Sequence, residues 1–394
     1  MHEQPGPIWY GGSAVTDWNF SERELIKLLF LVVVVAVLFG YAGVLMLVCM
    51  EWLTRARYAT ESSAKHGISS ENASRLGGAL LAISSGVGFA YALLFSEVGI
   101  ESAGFRLMAV AIIVTSLIGL VEDIENGILS PRLRLILLAA VFATTFLYGP
   151  QLKPGVGTPT LLGAVVAVPL IGALLCALFA IGFINAVNMA DGANGLMPGI
   201  ALFVFLAFTY VTDTMSMSMS WAWALLAYIV AIFTLFNVIS GRLFLGDCGS
   251  YSIGALIVLG AYSGMNAGLV SLGFLAALLS YPCVEMVLSL GRRLSLGRSP
   301  FLPDNDHFHN RLNHFFKSRF SSELVANSGT GLAISIATSG LVCALMVFDW
   351  LPMHHIGWWY IFGLLAILHI MLFMLLGSRV PRTVQFVVDS DTVT

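Results

Sequence analysis

The sequence predicts an all-α, polytopic membrane protein, and three observations carry that expectation. Hydrophobic residues make up 58% of the chain and charged residues 10%, against roughly 25% charged in soluble domains. Apolar runs of about 20 residues or slightly fewer recur along it, each long enough to cross a hydrocarbon core of about 30 Å as a helix. The basic residues gather in the segments on one side of those runs.

Eleven spans are expected, over 28–50, 77–95, 107–121, 133–148, 161–184, 196–211, 221–238, 251–265, 269–288, 331–348 and 359–376. An odd number puts the termini on opposite sides. With the N-terminus outside, fifteen of the nineteen Lys and Arg residues fall on the inner side, and only Arg23, Lys27, Arg106 and Lys153 remain outside. The orientation that follows is N-terminus out, C-terminus cytoplasmic. A polar N-terminal segment (1–27) then precedes a membrane domain (28–376), which contains a large cytoplasmic loop (289–327), and a cytoplasmic tail (377–394) follows. The first 27 residues are too polar for the apolar core of a cleaved signal peptide, so the first span reads as a retained helix. The net charge of −3 adds nothing.

Five cysteines, at 49, 176, 248, 283 and 343, show no paired spacing, and neither a disulfide nor a zinc site is expected. Trp221/Trp223 and Trp358/Trp359/Tyr360 near span ends read as interfacial anchors, with His354 and His355 beside the latter as loop residues.

The first inner loop ends in Arg75-Leu76-Gly77-Gly78 at the mouth of span two. Small residues at a helix start let another backbone or a ligand come close. The second begins Glu122-Asp123 and reaches Arg132 and Arg134. Carboxylates at a helix C-terminus face the negative end of its dipole and need a cationic partner. The two arginines can supply it as plain ion pairs, and a metal or a catalytic role is the other reading.

At 185–196 the chain reads Asn-Ala-Val-Asn-Met-Ala-Asp-Gly-Ala-Asn-Gly-Leu, interrupting an apolar run with clustered polar and flexible positions. Asn185 and Asn188 share a helix face. They can glue helices through amide hydrogen bonds or belong to a site. In Arg242-Leu-Phe244-Leu-Gly246-Asp247-Cys-Gly249-Ser250 the next helix starts from the inner side. Two glycine-preceded helix N-termini, after Gly195 and behind Gly249-Ser250, can cradle phosphate oxygens, with Asp191 and Asp247 beside them for a divalent cation. Capping by Asn194 and Ser250 is the simpler account, but it leaves Asp247 unexplained. In the largest loop, Pro303-Asp304-Asn305-Asp306-His307-Phe308-His309-Asn310-Arg311 makes a weak zinc site and a better polyanion cluster, with a solvated basic loop near lipid headgroups as the alternative.

All these stretches fall on the one face that the basic residues mark as cytoplasmic. Over about residues 50–315 the chain resembles the polyprenyl-phosphate N-acetylhexosaminyl-1-phosphate transferases, with five motifs in the family's order: Arg75-Leu-Gly-Gly, Gly119-Leu-Val-Glu-Asp, the 185–195 stretch, Asn237 through Phe244-Leu-Gly-Asp-Cys-Gly-Ser, and Pro303-Asp-Asn-Asp-His-Phe-His. The resemblance implies an enzyme of the bacterial inner membrane with its site on the cytoplasmic face. It implies transfer of N-acetylhexosamine 1-phosphate from a UDP-sugar to undecaprenyl phosphate, releasing UMP, as the first membrane step of an envelope polysaccharide. The loop is more similar to the branch that acts on O-antigen, common-antigen or teichoic-acid precursors, which favours UDP-N-acetylglucosamine or a deoxy-N-acetylhexosamine. Magnesium is the implied cofactor, with manganese as the substitute. The partners are the two substrates and membrane lipids, with no nucleic acid, and a homodimer is an option.

By the same resemblance Asp247 and Asn188 match metal positions. Asp191, Asn194, Asn237 and Phe244 match positions around the uridine, with Phe244 suited to stacking. His307, His309 and Arg311 match the loop over the pyrophosphate and sugar, and Arg75 and Asn185 join the substrate set. Glu122 and Asp123 match a pair assigned to the lipid phosphate, so Asp123, Glu122 and His307 are the catalytic candidates. Three positions depart from the family pattern, Glu122, Asn194 and Asn310 standing where Asp, Asp and His are common. A polytopic transporter, an aspartate-rich membrane prenyltransferase (Asn188-x-x-Asp191 partly mimics its motif) and a scaffold with a decayed site are the competing classes.

Overall fold

The computed structural model describes residues 21–55, 60–61, 73–95, 103–125, 127–149, 163–165, 167–215, 219–297, 299 and 306–377. Positions 1–20 of the polar segment, the tail after 377, and Pro303, Asp304 and Asn305 lie outside them.

The helices are α1 Glu22–Arg55, α2 Gly77–Phe95, α3 Ala103–Ile124, α4 Pro131–Tyr148, α5 Pro169–Ala190, α6 Met197–Thr214, α7 Ser220–Ser240, α8 Gly246–Asn266, α9 Leu272–Leu278, α10 Ser280–Ser295, α11 Phe308–Lys317, α12 Glu323–Ser335, α13 Leu341–Val347 and α14 Gly357–Gly377. A five-residue π-helical turn, Ile336–Gly340, joins α12 to α13. The two-residue strands β1 Thr60–Glu61 and β2 Ala73–Ser74 pair antiparallel. The protein is an all-α polytopic membrane protein: among the described residues nine helices, counting α12 to α13 as one, have the length and composition to cross a bilayer. Side chains that would form the core of a soluble protein lie exposed, such as Leu29, Val33 and Val37 on α1 and Leu364, Ile367, Met371 and Met374 on α14. These faces meet lipid.

Most expected spans fall on helix; α5 starts only at Pro169 within the expected 161–184, of which 161, 162 and 166 lie outside the described residues, the tenth runs over α12, the π turn and α13, and the ninth is two helices. α9 and α10 are bent by 77°. The cause is Pro282, which cannot donate to the carbonyl four residues back and whose ring clashes with it. That carbonyl belongs to Leu278, the last residue of α9, and it instead accepts the hydroxyl of Ser339 at 2.6 Å. Ser339 sits in the π turn, so one helix's irregularity satisfies the break in another.

α8 is the central helix, packed by α2, α3 and α5. Glycines set the closeness: a Cβ at Gly78 would lie 2.0 Å from the Gly249 nitrogen, and one at Gly119 would lie 2.4 Å from the Asp247 carbonyl oxygen. Small residues let membrane helices pack backbone to backbone, which explains the glycine pair at the mouth of span two.

Several boundaries differ from the sequence expectation. α3 continues through Glu122 and Asp123, and α8 begins five residues before position 251, so Asp247 lies in its first turn. The 289–327 segment carries the end of α10, the whole of α11 and the start of α12, because Phe308, Leu312 and Phe316 repeat at helical spacing. Trp358 is no interfacial anchor. It is fully buried, edge-on to Phe274 with centroids 5.1 Å apart, and its indole N–H donates to the Pro352 carbonyl at 3.1 Å. All five cysteines are free.

Candidate active site

The C-terminus of α3 meets the N-terminus of α8. The backbone N–H groups of Asp247 and Cys248 donate to Asp123 Oδ1 and Oδ2 at 2.9 and 2.8 Å, and Asp123 is 1% exposed. A carboxylate unfavourable to its own helix is thereby placed on the positive end of its antiparallel neighbour. The expected compensation by Arg132 and Arg134 is replaced for Asp123 by a helix N-terminus. Two N–H groups expected to cradle phosphate are already occupied. Ser250 does not cap α8. It bonds back to the Gly246 carbonyl at 2.8 Å. Glu122, also buried, accepts from the Gly127 and Leu129 N–H groups at 3.0 and 3.4 Å, which closes the α3–α4 turn.

Arg134, in the first turn of α4, bonds Asp247 Oδ2 at 3.0 Å and lies 3.9 Å from Glu122 Oε1. Asn188, at the end of α5, also reaches the Asp247 carboxylate. Three residues on from Asp247, Ser250 Oγ is 3.5 Å from Asp191 Oδ2. Asp247, Asp191, Asn188 and Arg134 therefore converge at one end of the bundle.

The Arg75 motif is zipped alongside the Phe244 motif. The Ser74 N–H donates to the Arg242 carbonyl at 3.0 Å, Phe244 N–H to Ser74 at 2.8 Å, and Gly77 and Gly78 N–H to Phe244 and Leu245 at 3.1 and 2.9 Å. Arg75 and half-buried Phe244 thus lie on adjacent backbone segments beside Asp247. Arg242 is anchored by Glu51, the buried carboxylate near the end of α1, at 2.8 Å.

Asn194 and Asn237 face inward. Asn237 accepts the Gly195 N–H at 2.6 Å and donates to the Leu243 carbonyl at 2.8 Å and to Asn194 Oδ1 at 3.4 Å. The Asn194 side chain donates to Ser328 at 3.4 Å, its backbone N–H donates to Asn327 at 2.9 Å, and Asn194 and Asn237 are each 4% exposed. These amides pin the 191–195 loop to α7 and α12, and α6 begins without a side-chain cap. Asn185 donates to its own helix at Ile181, 2.7 Å away.

On the other side of that loop stand the histidines. A Cβ at Gly192 would lie 2.0 Å from His309 Nε2, so only glycine lets the ring approach. The His307 and His309 rings stack at 5.3 Å and 16°. Tyr281 hydrogen-bonds His309 Nδ1, and Glu285 bonds His307 Nδ1, each at 2.9 Å. Arg311 forms a bidentate pair with Asp306 at 2.6 and 2.7 Å, donates to the Phe373 carbonyl at 2.7 Å and lies 3.6 Å over that residue's ring. It ties α11 to the end of α14. Glu285, Tyr281, His369 and Glu51 were not among the expected site residues. An ionisable residue inside an apolar span was the available signal.

Among the described residues no three His, Cys, Asp or Glu side chains converge closely enough to enclose a metal ion. Magnesium does not require that. It keeps several waters and takes one or two carboxylates with substrate phosphates. Asp247 and Asp191, one turn of α8 apart through Ser250, with the Asn188 amide, form a hard-oxygen set of that kind.

The fold and this cluster define an integral membrane protein with carboxylates, amides, imidazoles and guanidinium groups assembled at one end of a helical bundle. The family model of glycosyl transferase family 4 matches residues 105–265 of the chain. It is 31% identical, over 33% of its length and 39% of the relative's, to an undecaprenyl-phosphate alpha-N-acetylglucosaminyl 1-phosphate transferase of Thermotoga maritima. It is 27% identical to the Escherichia coli O157:H7 protein of the same description, over 50% of this chain and 52% of that one. A probable undecaprenyl-phosphate N-acetylglucosaminyl 1-phosphate transferase of Bacillus subtilis is 29% identical over 38% and 43% of the two chains. The matches span about two fifths to half of these relatives' length.

Proposed function

We propose that this protein transfers N-acetylhexosamine 1-phosphate from a UDP-sugar, UDP-N-acetylglucosamine first among them, to undecaprenyl phosphate on the cytoplasmic face of a bacterial inner membrane. The product is a lipid diphosphate sugar, the start of an envelope polysaccharide such as O-antigen. The observation that supports the reading is the convergence of Asp247, Asp191, Asn188 and Arg134 on one side of the Gly192 loop and His307 and His309 on the other. A pyrophosphate needs both kinds of group, anionic oxygens for a cation and cationic or N–H donors for its own oxygens.

A phosphate oxygen of the lipid attacks the β-phosphorus of the donor, the bond from that phosphorus to the bridging oxygen breaks, and UMP leaves with the electron pair. Asp247, with Asn188 and Asp191, would hold magnesium, which when bound supplies positive charge against the repulsion between the two phosphates. Arg134 keeps Asp247 oriented and adds a fixed cation. With Nδ1–H given to Glu285, the imidazolium form of His307 offers its Nε2–H to the pyrophosphate, His309 stands stacked beside it, and Phe244 offers a ring face beside the nucleotide. Glu122 and Asp123 keep the α3–α4 turn and the α8 N-terminus in place beneath the reacting groups. A phosphate monoester is already largely a dianion near neutral pH, since its second pKa is about 6, so the nucleophile needs no strong base.

The test is to incubate the purified protein with undecaprenyl phosphate, magnesium and a panel of UDP-hexosamines. Release of UMP together with a lipid diphosphate sugar is the expected result. Absence of such a lipid with every donor refutes the proposal.

A further inference from the structure

An ionised carboxylate inside an apolar helix costs several kcal/mol unless it is paired, and Glu285 on α10 is 0% exposed. Its two oxygens divide between two imidazoles from different parts of the chain. His307 Nδ1–H donates to Oε1 and His369 Nε2–H, from α14, to Oε2, each at 2.9 Å, and the Phe308 N–H adds a contact to Oε2 at 3.3 Å. Well-packed hydrophobic residues can replace a buried ion cluster without loss of stability, so such a cluster is weak ground for a purely stabilising role.

What the cluster does is orient. Tyr281 and Glu285, four residues apart on one helix face, take the Nδ1 atoms of His309 and His307 respectively. Both rings are therefore held from the same side, and their Nε2 atoms turn away from α10. His309 Nε2 lies against Gly192. His307 Nε2 has no hydrogen-bond partner among the described residues. Which ring nitrogen a histidine presents is set by the bond that the other makes.

We propose that Glu285, backed by His369, is a positioning residue that fixes His307 by Nδ1–H so that the Nε2–H of its imidazolium form is presented to the diphosphate of the nucleotide sugar. This rests on the transferase reading above. Glu285 touches no substrate and acts through His307.

The test is steady-state kinetics of the full-length protein and the variants Glu285→Gln, His307→Gln and the double variant, with donor and lipid acceptor varied separately. Glu285→Gln is expected to raise the donor KM on the order of tenfold while the undecaprenyl phosphate KM stays put, and the double variant should be no worse than His307→Gln alone, as residues acting as one unit are non-additive. Additive losses, or an equal rise in both KM values, overturn the proposal. Should Glu285→Gln not fold, His369→Leu takes its place: a donor KM rise that disappears in the His307→Gln background sustains the idea, and one that persists there sinks it. A wild-type protein inactive with every UDP-hexosamine would refute the transferase reading, and 15N spectra of the histidine side chains would then decide the positioning separately. A His307 Nδ1–H signal that moves in Glu285→Gln supports it, and an unmoved one overturns it.

Discussion

Asp123→Asn separates a structural from a chemical carboxylate. In the native protein both carboxylate oxygens accept backbone N–H groups of α8, at 2.9 and 2.8 Å, with the residue 1% exposed. Asparagine keeps one accepting oxygen and turns an NH2 group toward the other peptide N–H, donor against donor. The change removes a charge-assisted bond of about 1.5–3 kcal/mol and leaves a buried N–H unsatisfied at about 1–3 kcal/mol. It also withdraws a charge from a helix N-terminus, where a partly buried interaction reaches about 2 kcal/mol. These contributions overlap because they share the same atoms, so the expected destabilisation is on the order of 3 kcal/mol rather than their sum. Asp247 is itself one of the two donors, so the same change displaces the carboxylate at the centre of the site, and turnover falls with stability. The assay is size-exclusion chromatography of detergent-solubilised protein after graded heating, run beside UMP release. A variant with an unchanged melting temperature and no turnover would refute the capping argument and return Asp123 to the chemistry.

Asp247→Asn should behave in the opposite way. The Arg134–Asp247 pair is partly exposed, so the stability change should stay within about 1 kcal/mol, while turnover is lost and metal chelation of the wild type mimics the mutation; near wild-type turnover would remove Asp247 from the metal site. Orientation is tested with single cysteines in intact cells: position 349 should react with an impermeant thiol reagent and position 318 should not, and the reverse pattern would invert the topology inferred from the basic residues. Direct displacement predicts that labelled UMP does not enter the UDP-sugar pool of delipidated protein until undecaprenyl phosphate is added. Exchange without lipid would establish a covalent phosphoryl-enzyme instead.

The spans were legible because bilayer thickness fixes their length and composition, and the expected 133–148 lies within α4, Pro131–Tyr148, and ends with it. The misplaced boundaries share a cause. Glu122, Asp123 and Asp247 look like loop residues in isolation; Glu122 is completed by the turn that follows it, through Gly127 and Leu129, but Asp123 and Asp247 are completed by partners more than a hundred residues away, as Asp123 does for Asp247 and Cys248. Local pattern cannot carry that information. The bend at Pro282 was legible in principle, since a proline stood in the run, and a continuous hydropathy signal concealed it. Glu285 and His369 stood equally plain inside apolar runs, but that they meet each other and His307 follows only from how α10, α11 and α14 pack.

The motif residues divide according to whether their polar atoms are already engaged by the protein. Asp123 has both oxygens on α8, Glu122 has both on the α3–α4 turn, and Asn194 and Asn237 lock the 191–195 loop. Each of these groups holds backbone in place, and the departures Glu122 and Asn194 fall within this set. A longer carboxylate still reaches two N–H groups across a turn, and an amide still donates to Ser328 and accepts from Asn237, which a carboxylate at 194 could not do on the donor side. Those substitutions are therefore compatible with an intact site and weaken the case for a decayed scaffold. Asp247, whose carboxylate among the described residues meets only the side chains Arg134 and Asn188 and is not tied to backbone, and His307, whose Nε2 has no protein partner among the described residues, retain bonding capacity for a ligand. It is at Asp247 and His307 that substitution should affect substrate and leave the fold in place.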